Sequence, residues 1–249
     1  MNRTIRTLIF YAACLALITG CKKSDDGSGG NTFKGCELSK IADSSIALSV
    51  LAHTDISYDG TGLLLASITT GTNAINRTLD YTGPNPLVRF SGTYSETDTL
   101  QLAGNLIVVW ITHNYSNKQN NKKSFLTYDA GGNIQTRVDF YEDGRTDTAY
   151  YTWQNGDMVS MTSKYDSAKY TYDTLLTQDG DWLRENQIVS MALGRTYINS
   201  KHAVHSYQHG LDAPTYFFYL KDANNRIVTC NAFTGSSLET YTYSYYCTQ

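Results

Sequence analysis

Three histidines, His202, His205 and His209, sit at spacings of three and four in the stretch HAVHSYQH. On a helix those spacings bring the imidazoles to one face, as a tetrahedral zinc site needs. On a strand, His202 and His205 point to opposite faces, and His205 and His209 stand about 13 Å apart at ~3.3 Å per residue. The neighbouring sequence decides between the two. Residues 125–173 are short runs rich in Tyr, Thr and Val, cut by turn signals at 129–133, 142–147, 154–157 and 166–169. Aromatic and β-branched runs bounded by Gly, Asp and Asn at near-regular spacing read as antiparallel hairpins. The histidines are therefore expected on a strand, with no metal and no cofactor.

The same logic applies to the acids. Asp129, Glu142, Asp143, Asp147, Asp157 and Asp222 fall in turn signals, where Asp accepts backbone hydrogen bonds and Gly supplies positive φ. A retaining glycosidase would need two carboxyls about 5–5.5 Å apart, and no GxSxG, HExxH or P-loop pattern is present. No catalytic residue is assigned. Aromatics are the compositional oddity: 20 Tyr against 8 Phe and 3 Trp. Cross-strand Tyr pairs stabilise sheets while their hydroxyls stay wet. The sharper expectation is an exposed binding platform made of Trp153, Tyr241, Tyr243 and Tyr245.

The 249 residues suffice for one large β domain. Residues 63–69 and 74–81 read as strands, and 106–111 (LIVVWI) as a strand covered on both faces. Only 185–194 offers a plausible late helix. Many short strands imply an all-β antiparallel meander, a large twisted sheet or half-barrel, with a closed lipocalin-like barrel as the alternative.

Arg3 and Arg6 precede an apolar run, 8–18, too short to cross a bilayer. Ile18-Thr19-Gly20-Cys21 then resembles the bacterial lipobox. The resemblance implies cleavage before Cys21, lipidation of its thiol, and partnership with the outer membrane through the lipid, with the chain displayed at the cell surface. Lys22-Lys23-Ser24-Asp25-Asp26 resembles the export tag of Bacteroidota surface lipoproteins, and GSGGN (27–31) reads as a flexible linker. Domains are expected as signal peptide 1–20, lipidated tether 21–34 and one β domain 35–249. Loss of Arg3 and Arg6 takes the formal charge from −3 to −5, which argues against nucleic acid.

Tyr128-Asp129-Ala130-Gly131-Gly132-Asn133 is similar to the YD repeat of Rhs-type proteins, and Tyr58-Asp59-Gly60-Thr61-Gly62 is a fainter copy. The chain as a whole resembles Bacteroidota lipoproteins that carry such hairpins throughout, a likeness that brings no catalytic residues. With Cys14 in the signal and Cys21 lipidated, Cys36, Cys230 and Cys247 remain. A simple hairpin register places Cys230 opposite a residue near Tyr241, so a Cys36–Cys247 disulfide is expected, with Cys230 buried and free. The functional expectation is a non-enzymatic binding or structural module for a glycan or protein partner. A glycan hydrolase or a lipocalin-like carrier is the alternative class.

Overall fold

The computed structural model describes residues 36–45, 50–59, 63–70, 74–93, 95–177, 179–187 and 197–247. The signal, Cys21 and the tether lie outside the described residues. Sixteen strands follow in order: β1 (Cys36–Ser45), β2 (Val50–Tyr58), β3 (Leu64–Thr70), β4 (Ile75–Asp80), β5 (Leu87–Gly92), β6 (Glu96–Ala103), β7 (Leu106–Asn114) and β8 (Lys122–Tyr128). Then come β9 (Ile134–Tyr141), β10 (Thr146–Gln154), β11 (Asp157–Thr162), β12 (Ser167–Leu176), β13 (His202–His209), β14 (Thr215–Lys221), β15 (Ile227–Thr234) and β16 (Ser237–Cys247). Each pairs antiparallel with its sequence neighbours, and β1 pairs with β16, so the meander closes into a barrel. Of the two expected forms the closed one is realised, with twice the eight strands of a lipocalin.

Register partners share a face. Ile41 with Tyr243, Ser67 with Arg77, Leu79 with Val88, and Trp110 with Ser124 thus mark the inner surface. The buried core lies on it, including Leu64, Val88, Leu100, Met158 and Phe217. Outward stand Thr78 with Arg89, Arg89 with Thr97, Ser160 with Lys169, and Thr229 with Thr242. Exposed outer apolar residues are spread over the wall, with Leu65 and Ile68 on β3, Leu176 on β12 and Tyr246 on β16, and two denser groups. Phe125, Phe140 and Tyr150 lie on β8–β10, and Tyr216, Phe218, Leu220 and Phe233 on β14 and β15. A lipid-embedded barrel carries an apolar band about 25 Å tall around its whole girth. Here β4–β6, β12 and β16 turn mainly Thr, Ser, Asn, Arg, Lys and Gln outward. The core is inside, and the outer face is mixed, polar over β4–β6 and apolar in patches over β3, β8–β10, β14 and β15.

One irregularity recurs at the rim where β1 begins. On β1, β3, β7, β9, β11, β13 and β15 an extra residue follows a buried apolar one. Those apolar residues are Leu38, Leu64, Ile107, Ile134, Met158, Val204 and Ile227, none more than 2 % exposed. A bulge bends and twists the strand but breaks the ladder beside it, and a buried carbonyl left unpaired there is costly. In five cases an aromatic on the following strand supplies the donor. Tyr128 Oη donates to Ile107 O (2.8 Å), Trp153 Nε1 to Ile134 O (2.7 Å) and Tyr172 Oη to Met158 O (2.6 Å). Tyr219 Oη donates to Val204 O (2.9 Å), and Tyr245 Oη to Ile227 O. Tyr suits the position because its ring fills the lumen while its tip reaches the strand. Asp59, Asp129 and Asp222 close turns at the same rim. Each donates its N–H to the carbonyl four residues on, and its Oδ1 accepts that residue's N–H. These acids shape corners.

Between β12 and β13 the chain enters the lumen instead of turning tightly. Gly180 begins this insert at φ +88°, with Ile227 side-chain atoms 2.9 Å from where a Cβ would stand. A short helix α1 (Trp182–Glu185) follows; the helix expected over 185–194 falls mostly on residues 188–196, which lie outside the described residues. Trp182 stacks on Phe217 at 4.7 Å between ring centroids. Buried Gln187 ties the insert together, its Oε1 accepting from the Tyr197 and Ile198 N–H groups (2.8 and 2.9 Å). Tyr197 meets Trp110 of β7 edge-on at 6.3 Å. The insert therefore reaches from β14 to β7 across the barrel.

Cys36 and Cys247 form a disulfide that joins the first and last strands, and Cys230 is buried and free, opposite Tyr241. Reducing it, or Cys36→Ser, is expected to lower unfolding free energy by roughly 2–5 kcal/mol in urea titrations; unchanged midpoints would show that closure does not depend on it. Tyr128→Phe should cost about 1–3 kcal/mol by orphaning the Ile107 carbonyl. Tyr150→Phe, on the exposed outer face, should stay within about 0.5 kcal/mol. Equal effects from the two substitutions would refute the bulge-capping account.

Candidate functional site

The insert fills the lumen from the Cys36 rim, and the space it leaves opens toward the opposite rim. That space is a cavity of about 290 Å³ between the insert and the inner faces of β1–β4 and β16. Its walls are polar and aromatic. Asp43 comes from β1, Thr54 from β2, Thr69 from β3 and Arg77 from β4, each at an inward register position. Tyr241 and Tyr243 contribute from β16, and the insert adds Trp182, Glu185 and Asn186.

Glu185 is 4 % exposed. Its Oε1 accepts the Gly180 N–H at 2.8 Å, while Oε2 is buried without a hydrogen-bond partner. Burial, the dominant effect, and the nearby Asp179 push its pKa up to about 8 against the Gly180 hydrogen bond. Asp43 is half-buried, with Oδ1 also buried and without a partner; burial and then the Glu239 carboxylate raise its pKa. Tyr241 Oη donates to Glu239 Oε2 at 2.7 Å. Opposite in charge, Arg77 donates from Nη1 to Thr69 Oγ1 at 3.3 Å and lies over the Phe90 ring at 5.9 Å.

A second polar cluster lines the lumen on β6–β9. Asp139, 2 % exposed, meets Lys122 at 3.5 Å and Arg137 at 3.2 Å. The Arg137 contact is one of charge, since neither the Arg137 Nε nor the Asp139 Oδ1 makes an aligned hydrogen bond. Asp98 accepts from Thr112 Oγ1 at 2.7 Å, and burial pushes its pKa up to about 7 against that bond.

The sequence-derived candidates are placed as follows. Trp153, Tyr241, Tyr243 and Tyr245 form no exposed platform, because all four point into the barrel and pack on the core. Bulge capping claims Trp153 and Tyr245, whereas Tyr241 and Tyr243 line the cavity. The histidines lie on β13 with separate partners. His202 Nδ1 pairs with Asp157 Oδ2 at 2.8 Å, His209 Nε2 pairs with Asp166 Oδ1 at 2.7 Å, and His205 faces outward against Tyr216 and Phe218. Asp43, Arg77, Trp182 and Glu185 were not singled out from sequence. One signal was available: Arg77 interrupts the alternation of Ile75 and Leu79, and Asp98 that of Leu100 and Leu102, so a charge at an inward position marks a lumenal polar site.

Asp98 also predicts a pH dependence. Its folded pKa of about 7 exceeds the unfolded value near 3.9. The stability it permits is therefore complete below about pH 4 and lost as pH rises through 7. Asp98→Asn should flatten the fall in melting temperature across that window; an unchanged slope would contradict the assignment.

No family model matches the chain, and no curated protein does. Among solved structures it is similar to a porin-like protein from Bacteroides uniformis ATCC 8492, at a TM-score of 0.64 and 12 % identity, over 88 % of this chain and 100 % of that one. That likeness extends to the fold: an antiparallel β-barrel.

Proposed function

We propose that the chain is a lipid-tethered binding protein of the bacterial cell surface, which takes a small ligand in the mouth of a plugged, water-soluble barrel. The observation that carries this reading is the sorting of side chains, with the buried apolar and aromatic core inside and Thr, Ser, Lys and Arg interrupting the apolar groups outside, so that they form patches and not a continuous band. A body with that skin is stable in water, so a membrane would hold it by the lipid on Cys21 and not by its strands. The insert occupies the lumen that a channel would keep open. The cavity it leaves is small and polar, which suits a polar ligand better than the apolar cargo of a lipocalin. One observation favours a glycan hydrolase as a second reading: two carboxyl groups, those of Glu185 and Asp43, line the same cavity.

Cys21→Ala is expected to move the protein from the membrane fraction to the aqueous phase of a detergent partition, and the wild-type protein should give no conductance steps in planar bilayers. Retention of the variant in membranes, or stepwise conductance, would overturn the reading. Release of reducing sugar that Glu185→Gln abolishes would select the hydrolase.

A further inference from the structure

Two residues of the cavity wall each carry an oxygen with nothing to accept. Asp43 Oδ1 and Glu185 Oε2 are both buried, both lack a donor, and both residues line the same space. A buried acceptor without a partner is destabilising unless something supplies one. Asp43 is in register with Tyr241 and Ile41 with Tyr243, while Glu185 lies close enough to Tyr243 to act on its phenol. Both acids line the one cavity together with the rings of Tyr241, Tyr243 and Trp182.

Resting on the binding role proposed above, we infer that this cavity binds a small organic cation, a protonated amine, whose N–H groups fill the two orphan acceptors and whose charge lies against the aromatic faces. Charge, and not hydrogen bonding alone, decides the class. The Glu239 carboxylate crowds Asp43, so the site gains from a positive charge that a neutral hydroxyl does not bring. Tyr and Trp faces attract cations and are worth more when desolvated. A bare metal ion fits less well: no group of three or more His, Cys, Asp or Glu able to hold one occurs among the described residues. Arg77 stands at the far wall, engaged with Thr69, where it would exclude a second positive charge.

The test is a matched pair of probes on the full-length protein in detergent, followed by thermal shift and calorimetry. Glucosamine and glucose differ at one position, amine against hydroxyl, and putrescine carries the amine without a sugar. Glucosamine is expected to bind at least about tenfold more tightly than glucose, a difference of about 1.4 kcal/mol. Asp43→Asn and Glu185→Gln should each erase most of that preference while keeping the wild-type circular dichroism spectrum. Binding of putrescine as tight as that of glucosamine would support the amine as the recognised group and assign the ligand to the aliphatic amines. Glucosamine alone would support it and assign an amino sugar. Equal affinity for glucose and glucosamine, unaltered by Asp43→Asn, would overturn the inference and leave the binding role standing. No shift with any of the three probes would overturn the inference, and a wider neutral panel that also fails would remove the binding role.

Discussion

Sixteen strands enclose more space than their own side chains can fill, and the rest of the molecule answers that constraint. Barrels of this strand number leave a water-filled lumen when nothing occupies it. Here the inner face carries Leu, Ile, Val, Met and aromatic groups, which need apolar contact rather than water. The described parts of the insert, residues 179–187 and 197–201, supply it. Trp182 packs on Phe217 and Tyr207, Leu183 is buried, and Tyr197 reaches Trp110 on the other side. Without the insert, those inner faces would look at each other across a gap.

A barrel must also bend at every strand, and this one bends by repetition. A buried apolar residue, one bulged residue after it, and an inward aromatic on the next strand that caps the carbonyl form a unit used five times from β7 to β16. The unit supplies curvature and satisfies the polar group that curvature exposes. It also explains why Tyr and not Phe stands at positions 128, 172, 219 and 245. A Phe at Tyr128 or Tyr219 would fill the same volume and leave a carbonyl bare. Asp59, Asp129 and Asp222 turn the chain at this rim, which puts the cavity mouth at the opposite one.

The candidate site follows from how the insert ends its contact with the wall. Around β7–β10 it packs tightly, with Tyr197 against Trp110 and beside the Lys122–Asp139–Arg137 charges. Toward β1–β4 and β16 it stops short, and Glu185 reaches the wall with one oxygen unused. Two carboxyl groups on the wall of one cavity, each above its ordinary pKa through burial, are unfavourable for the fold alone.

Period-2 alternation, turn residues and the run LIVVWI were enough to read an all-β antiparallel meander, and a simple hairpin register was enough to set Cys36 against Cys247. These are local properties: a pleat alternates its faces and a tight turn needs Asp or Gly, whatever lies elsewhere in the chain. Which face is inside is not local. Tyr241, Tyr243 and Tyr245 share a face by period alone, but only closure of β1 on β16 turns that face inward, as it does Trp153 on β10, and converts an expected platform into bulge caps and a cavity wall. Asp43 and Glu185 are 142 positions apart in sequence. They meet one cavity because an insert at one rim crosses the lumen to the strand that starts the barrel, an arrangement set by enclosed volume that no periodicity along the chain encodes.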